Sequence, residues 1–189
     1  TEKLPETFLA KKGYDLLQIL PELLVKIHYA NRGPIVKYTD DFFDVWTDMA
    51  ADNYYGEMSR WCEQHGLELS GHMDLDHHLN TMSTISGHFY KNISNNHRPA
   101  VDVIWAQIAP GEFTDFPRYA GSIKYLLGRK RATSETFAGM GLGLSGDLMR
   151  FITDHQVIRG INDFHLMYSS NKPPVHEVSP QMPNHMLQK

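Results

Sequence analysis

Four short runs recur along the chain at intervals of about 30 residues, and this rhythm constrains the fold more than any other feature. "LELSGH" (67–72), "VDVIWAQ" (101–107), "KRATSE" (130–135) and "INDFHLMY" (161–168) are rich in branched or aromatic residues and bounded by Gly, Pro or polar residues. Such runs read as β-strands. Helical patterns fill the gaps. Residues 40–65 carry Phe42, Trp46, Met49, Met58, Trp61 and Cys62, mostly at three- and four-residue steps. Asp40 and Asp41 suit the N-terminus of that helix, and Gly66 suits its C-terminal cap. A second helix is expected over 145–159, with Ser145 as its cap and Gly160 as its end. Sparser apolar spacing predicts helices between Asp76 and Ser94 and between Phe116 and Leu127.

Strands alternating with helices imply an α/β fold with a parallel sheet. A dinucleotide-binding, doubly wound sheet should carry a Gly-rich turn directly after its first strand. "GMGLG" (139–143) comes late and lacks that spacing, so the reading favours a (β/α)8 barrel. A full barrel takes roughly 250 residues, whereas this sequence has 189 and about half the strands. The expectation is therefore a partial barrel of four βα units belonging to a larger catalytic domain. Within it, 1–39 reads as a loop-and-helix region around Pro5 and Pro21, 40–168 as the βα core, and 169–189 as an irregular, proline-containing loop.

Composition removes several functions. A net charge of −4 provides no basic surface for nucleic acid or an anionic membrane. No apolar run approaches the roughly 18 residues that would mark a membrane helix. The opening "TEKLPETFLAKKGYDLL" lacks the apolar core of a signal peptide. A single cysteine, Cys62, allows no internal disulfide and no cysteine-rich zinc site. Eleven histidines and abundant aromatic residues fit a sugar cleft, where rings stack on sugar faces and imidazoles bond hydroxyls.

Active sites of such barrels gather at the C-terminal ends of the strands. That rule selects His72, Asp74, Asp76, His77 and His78 after the first strand and Trp105 and Gln107 after the second. It adds Glu135 at the end of the third, and His165 and Tyr168 on the fourth. Glycoside hydrolysis needs two carboxyl groups flanking one bond, which Glu135 and Asp76 could supply. The bland alternatives are a solvated edge glutamate at 135, a buried structural His165, and packing for Trp105. "HMDLDHH" (72–78) also has the residue types of a metal site.

At these residues the chain resembles a known family. "SGHMDLD", "VDVIWA", "SETFAGMGLGLSGDLMRFITDHQVIRGIN" and "HLMYSS" together resemble the catalytic barrel of large bacterial glycoside hydrolases, in particular the family 106 α-L-rhamnosidases. "KKGYDLLQILPELL" and "FFDVWTDMAADNYYGEMSRWCEQHGLELSGH" fit the same pattern, so the likeness runs from about Phe8 to Ser170. The resemblance implies a glycosidase acting on an oligosaccharide or polysaccharide. It implies missing barrel strands and β-sandwich domains elsewhere in a longer chain, and a secreted or periplasmic bacterial setting. It places a catalytic glutamate on Glu135 and its acidic partner on Asp76. His72, Asp74, Trp105, His165 and Tyr168 are then expected to bind substrate.

The chain departs from the family in three places: Asp76 stands where relatives carry Glu, "MDLD" lacks a small residue before the acid, and Leu142 replaces Trp. No cofactor is read from the residues. Family resemblance associates calcium with such enzymes, but a full ligand set cannot be matched. The resemblance also implies inversion, which predicts carboxyl groups roughly 6.5–9.5 Å apart. The rival expectations are a non-catalytic carbohydrate-binding remnant, or a metal-dependent hydrolase built on His72–His78.

Overall fold

The computed structural model describes residues 2–28, 37–140 and 144–167. They form two compact units, residues 1–69 with 73–96, and residues 70–72 with 97–189. The expected loop at 169–189 lies outside the described residues.

The first unit is helical. Helices α1 (Leu4–Lys12) and α2 (Leu16–His28) pack on α3 (Lys37–Ala50). Helix α3 passes through a single π-helical turn, Ala51–Tyr55, into α4 (Gly56–Gln64). This is the rod that the spacing of 40–65 predicts, and it starts three residues earlier. Its end is a Schellman closure at Gly66, which adopts φ +67°. There Leu67 N–H donates to Cys62 O at 2.9 Å and Gly66 N–H to Glu63 O at 3.2 Å. Phe8, Leu16, Ile19, Leu23 and Val45 make the buried core. Burying such side chains contributes about 1.5–3 kcal/mol apiece. The single helix expected between Asp76 and Ser94 is two, α5 (Leu79–Ile85) and α6 (Phe89–Ile93), broken at Ser86–Gly87.

The second unit holds a four-stranded parallel sheet in the order β1 (Ser70–Gly71), β2 (Arg98–Val103), β3 (Thr133–Thr136), β4 (Asp163–Leu166). The protein is thus a mixed α/β structure. Strands adjacent in sequence are adjacent in the sheet, so it lacks the order reversal of a doubly wound sheet. Helix α7 (Pro117–Leu126) packs on β2. Helix α8 (Gly146–Val157) starts where the sequence places it, with Leu148 N–H donating to Ser145 Oγ at 3.2 Å. Its buried Gln156 faces β3 and accepts from Thr136 Oγ1 at 3.4 Å. Parallel βαβ crossovers are right-handed as a rule, which assigns both helices to one face of the sheet.

Strand register then fixes the other face. Val101, Val103, Ser134 and Thr136 alternate away from Ala100, Asp102, Thr133 and Glu135. Each of the four expected strands is found, but with other bounds: β1 shrinks to Ser70–Gly71, β2 starts at Arg98 instead of 101, β3 starts at Thr133 instead of 130, and β4 keeps only Asp163–Leu166. Two of the shifted ends bear on the site. Strand β2 stops at Val103 rather than running to Gln107, because Trp105 and Ala106 adopt left-handed φ values of +51° and +59°. Strand β3 extends one residue past Glu135.

Candidate active site

The face opposite the helices is polar. Asp102 on β2 pairs in register with Glu135 on β3, and Glu135 pairs with His165 on β4. Registered residues on parallel strands point the same way, so three ionisable side chains stand in a row. His72 follows β1, one residue past the Gly71–Pro99 pair, which puts it in phase with Ala100 and Asp102. Its Nε2 lies 3.5 Å from Glu135 Oε2. One ligand-type atom from each of His72, Asp102 and Glu135 falls within 4.8 Å of the others. All three residues are half-buried.

A second polar row braces the first. Two residues back along the strands, Asp163 accepts from Arg98 Nη1 and from Thr133 Oγ1, each at 3.2 Å. Behind Glu135, Ser134 Oγ and Thr136 Oγ1 share a 2.6 Å hydrogen bond that is buried. Glu135 is thus carried on a strand pinned on both faces, the rigid support a reacting carboxylate needs.

The expected site residues divide between the units. Glu135, His72 and His165 share the polar face, His165 exposed on the last strand of the sheet. Trp105 belongs to the same unit, is 50% exposed, and sits just past the end of β2. Asp76 lies in the first unit, 1% exposed, and Asp74 is exposed in the same unit. The rings of His77 and His78 lie tilted by 46° with centroids 4.0 Å apart. Burial, reinforced by His78, lowers the His77 pKa. Tyr168, Leu142, Gly141 and Gly143 lie outside the described residues.

Asp102 is absent from the sequence expectations. The sequence offers only a partial signal, a single charged residue inside "VDVIW"; its place one residue before the end of β2 and directly opposite Glu135 emerges from the register.

The metal chemistry of this face can be assessed from its donors. Among the described residues, His72, Asp102 and Glu135 are the group able to hold an ion, and the run 72–78 does not gather one by itself. An imidazole with two carboxylates is the mixture zinc accepts. Calcium takes six to eight oxygens, more than these two carboxylates provide.

No family model and no curated protein matches the chain. Among solved structures, the rhamnosidase from Novosphingobium sp. PP1Y is similar, with a TM-score of 0.64 over 89% of this chain at 21% identity. The chain spans 16% of that protein's length. The likeness is one of fold, and its extent agrees with the α/β architecture described above.

Proposed function

We propose that this chain forms part of a (β/α)8 barrel in a glycoside hydrolase, with Glu135 as one of its two catalytic carboxylates. The observation that carries the reading is Glu135 itself: rigidly mounted near the C-terminal end of β3, half-exposed, and grouped with Asp102 and His72. The continuous strand order and the fold of the neighbouring rhamnosidase support it. So does the polar face, which is the one a barrel would turn inward. The remaining strands and any β-sandwich domains would come from the rest of a longer chain.

Asp102 lies too near Glu135 to be the partner in an inverting mechanism, which leaves room for a water between carboxyl groups roughly 6.5–9.5 Å apart. In this proposal Asp102 and His72 hold the sugar hydroxyls, His165 extends that row, and the partner acid comes from the rest of a longer chain, since Asp76, the candidate from sequence, is buried at 1% exposure. The products therefore show inversion at the anomeric carbon. Retention would instead make Asp102 and Glu135 the reacting pair, since retaining carboxylates stand about 5–5.5 Å apart.

The test uses the intact protein and a panel of aryl glycosides that includes an α-L-rhamnoside. Turnover that collapses in Glu135→Gln establishes the glycosidase, and proton NMR of the first-formed anomer separates the two carboxylate pairings. Turnover that persists in the variant overturns the assignment of Glu135.

A metal-dependent hydrolase is the second reading, favoured by the mutual proximity of His72, Asp102 and Glu135. It predicts activity lost to a chelator and restored by zinc, and lost equally in His72→Ala.

A further inference from the structure

Of the four non-glycine residues with left-handed φ among the described residues, three lie beside this site, and the fourth, Leu75, lies in the first unit. After β2, Trp105 and Ala106 are both left-handed, and after β3 so are Phe137 (φ +80°) and Gly139 (φ +64°). Three of these four are not glycine, and a bulky aromatic residue is a true outlier there. Such outliers persist only where surrounding contacts over-determine them, and they cluster at functional sites.

Those contacts are present. Trp105 N–H donates to Ala138 O at 3.1 Å, and Phe137 N–H donates to Val103 O at 3.1 Å. Ile104 N–H is held by Gln107 Oε1 at 2.9 Å, and Ala106 N–H approaches Met140 Sδ at 3.1 Å. The ends of β2 and β3 are therefore laced into one rigid rim.

The rim holds Trp105 outward. Ile104 and Ile108 on either side are buried, while Trp105 is 50% exposed. Gly139 explains its pose. A Cβ at position 139 would overlap the Cδ1 and Nε1 atoms of the indole, while Cγ would be 3.4 Å away. That order of distances places Gly139 against the edge of the ring rather than under its face. The absence of a side chain at 139 thus gives the indole edge its seat, and half of the residue stays open to solvent. An exposed indole mounted on a rigid rim suits a sugar ring, because stacking then costs little ordering of the protein. Trp105 N–H bonds Ala138, three residues past Glu135, so its backbone stands within about 10 Å of Glu135 along the strand direction. One or two pyranose rings bridge such a distance.

We propose that Trp105, seated edge-on against Gly139, is a stacking platform that selects pyranosides presenting an apolar ring face. Gly139 is the positioning residue of the pair. The proposal rests on the glycosidase reading of the site.

The experiment measures binding by calorimetry in the intact protein carrying Glu135→Gln, with methyl α-L-rhamnopyranoside, methyl β-D-glucopyranoside and methyl α-D-mannopyranoside as probes. At least one probe binds saturably, and adding Trp105→Ala weakens it tenfold or more. Trp105→Phe keeps most of the affinity, and Gly139→Ala loses it although the indole remains. A thermal melt accompanies each variant; a Gly139→Ala protein that does not fold leaves the Trp105 pair to decide. Saturable binding by none of the probes, or binding unchanged in Trp105→Ala, overturns the proposal. The two readings fail separately. Hydrolysis by the wild type with KM unchanged in Trp105→Ala removes the platform and leaves the glycosidase. Trp105-dependent binding without turnover of any glycoside removes the glycosidase and leaves a sugar-binding surface.

Discussion

In the first unit, Asp41, Asp44 and Asp48 line one side of α3 and meet Lys11, Lys12, Lys37 and Lys91. In the second, Asp102 and Glu135 meet each other and a histidine. The spacing of the α3 acids, three and four residues apart, puts them on one helix face, where α1 and α6 bring lysines to within 2.6–3.2 Å. Every charge there meets its opposite, so the cluster fastens helices together and keeps no chemistry in reserve. On the sheet, strand register rather than helical spacing sets the neighbours, and Glu135 is paired with a group that is charged only when protonated. Two sets of carboxylates from one chain thus stand in different settings, and the proposed function assigns a reaction only to the second. The difference lies in their counter-ions, not in the residue type.

Removing one carboxylate from each set separates the roles most sharply. Glu135→Gln is expected to lower kcat by about a thousandfold, in the range that a lost acid or base produces, with the melting temperature little changed. Asp44→Asn should leave kcat within about twofold and lower stability instead. Steady-state assays and thermal melts on the same two variants check this. If both acted on stability alone, the distinction between the sets would be gone.

The next effect is steric and belongs to the sheet unit. Gly121 on α7 lies against Arg159 and Gly160, where an added Cβ would overlap the Arg159 carbonyl oxygen and stand 3.1 Å from its carbon. The same junction is held by Lys124 Nζ donating to Gly160 O at 2.6 Å. Neither partner atom is the tip of a flexible side chain, so Gly121→Ala should destabilise the unit by about 3 kcal/mol. Urea unfolding of the variant measures it. A change below 1 kcal/mol would mean the backbone there yields freely.

What the sequence revealed and what it hid follow the same physical line. The helices were legible because apolar periodicity and end signals are local: Ser145 caps α8 and Gly66 closes α4 as their positions foretell. The strands were legible as elements, and Glu135 and His72 as members of one group. Asp102 was missed because its meaning depends on which residue of β3 it faces, and register is a long-range property. The stop at Val103 was hidden for another reason. Trp105 and Ala106 carry none of the glycine or asparagine signals of left-handed backbone, and only contacts from the β3 end hold them there. The division into two units was invisible as well. Ser70–His72 belongs with the sheet, while the residues on both sides of it belong to the helical unit, and no change of composition marks either crossing.

The smallest effect is the one that pH should expose. Hydrogen bonds from Lys12 and Lys91 hold the Asp44 carboxyl down to about 2 from an ordinary 3.8. A carboxyl whose pKa is depressed by folding contributes stability that is fully present above its unfolded pKa and disappears as pH falls through the folded one. The window therefore runs from about pH 4 down to about pH 2, and neutral pH lies outside it. A shift of this size in a buried group would be worth about 2.5 kcal/mol, but the Asp44 side chain is 47% exposed and its pairs are screened, so about 1 kcal/mol is the reasonable expectation. Wild type and Asp44→Asn should consequently differ in stability by that amount at pH 5 and converge near pH 2. Added salt at pH 5 should narrow the gap. A gap that stays constant across the window would assign the Asp44 contribution to packing rather than charge. The charge pairing of α3 with α1 and α6 would then rest on Asp41 and Asp48.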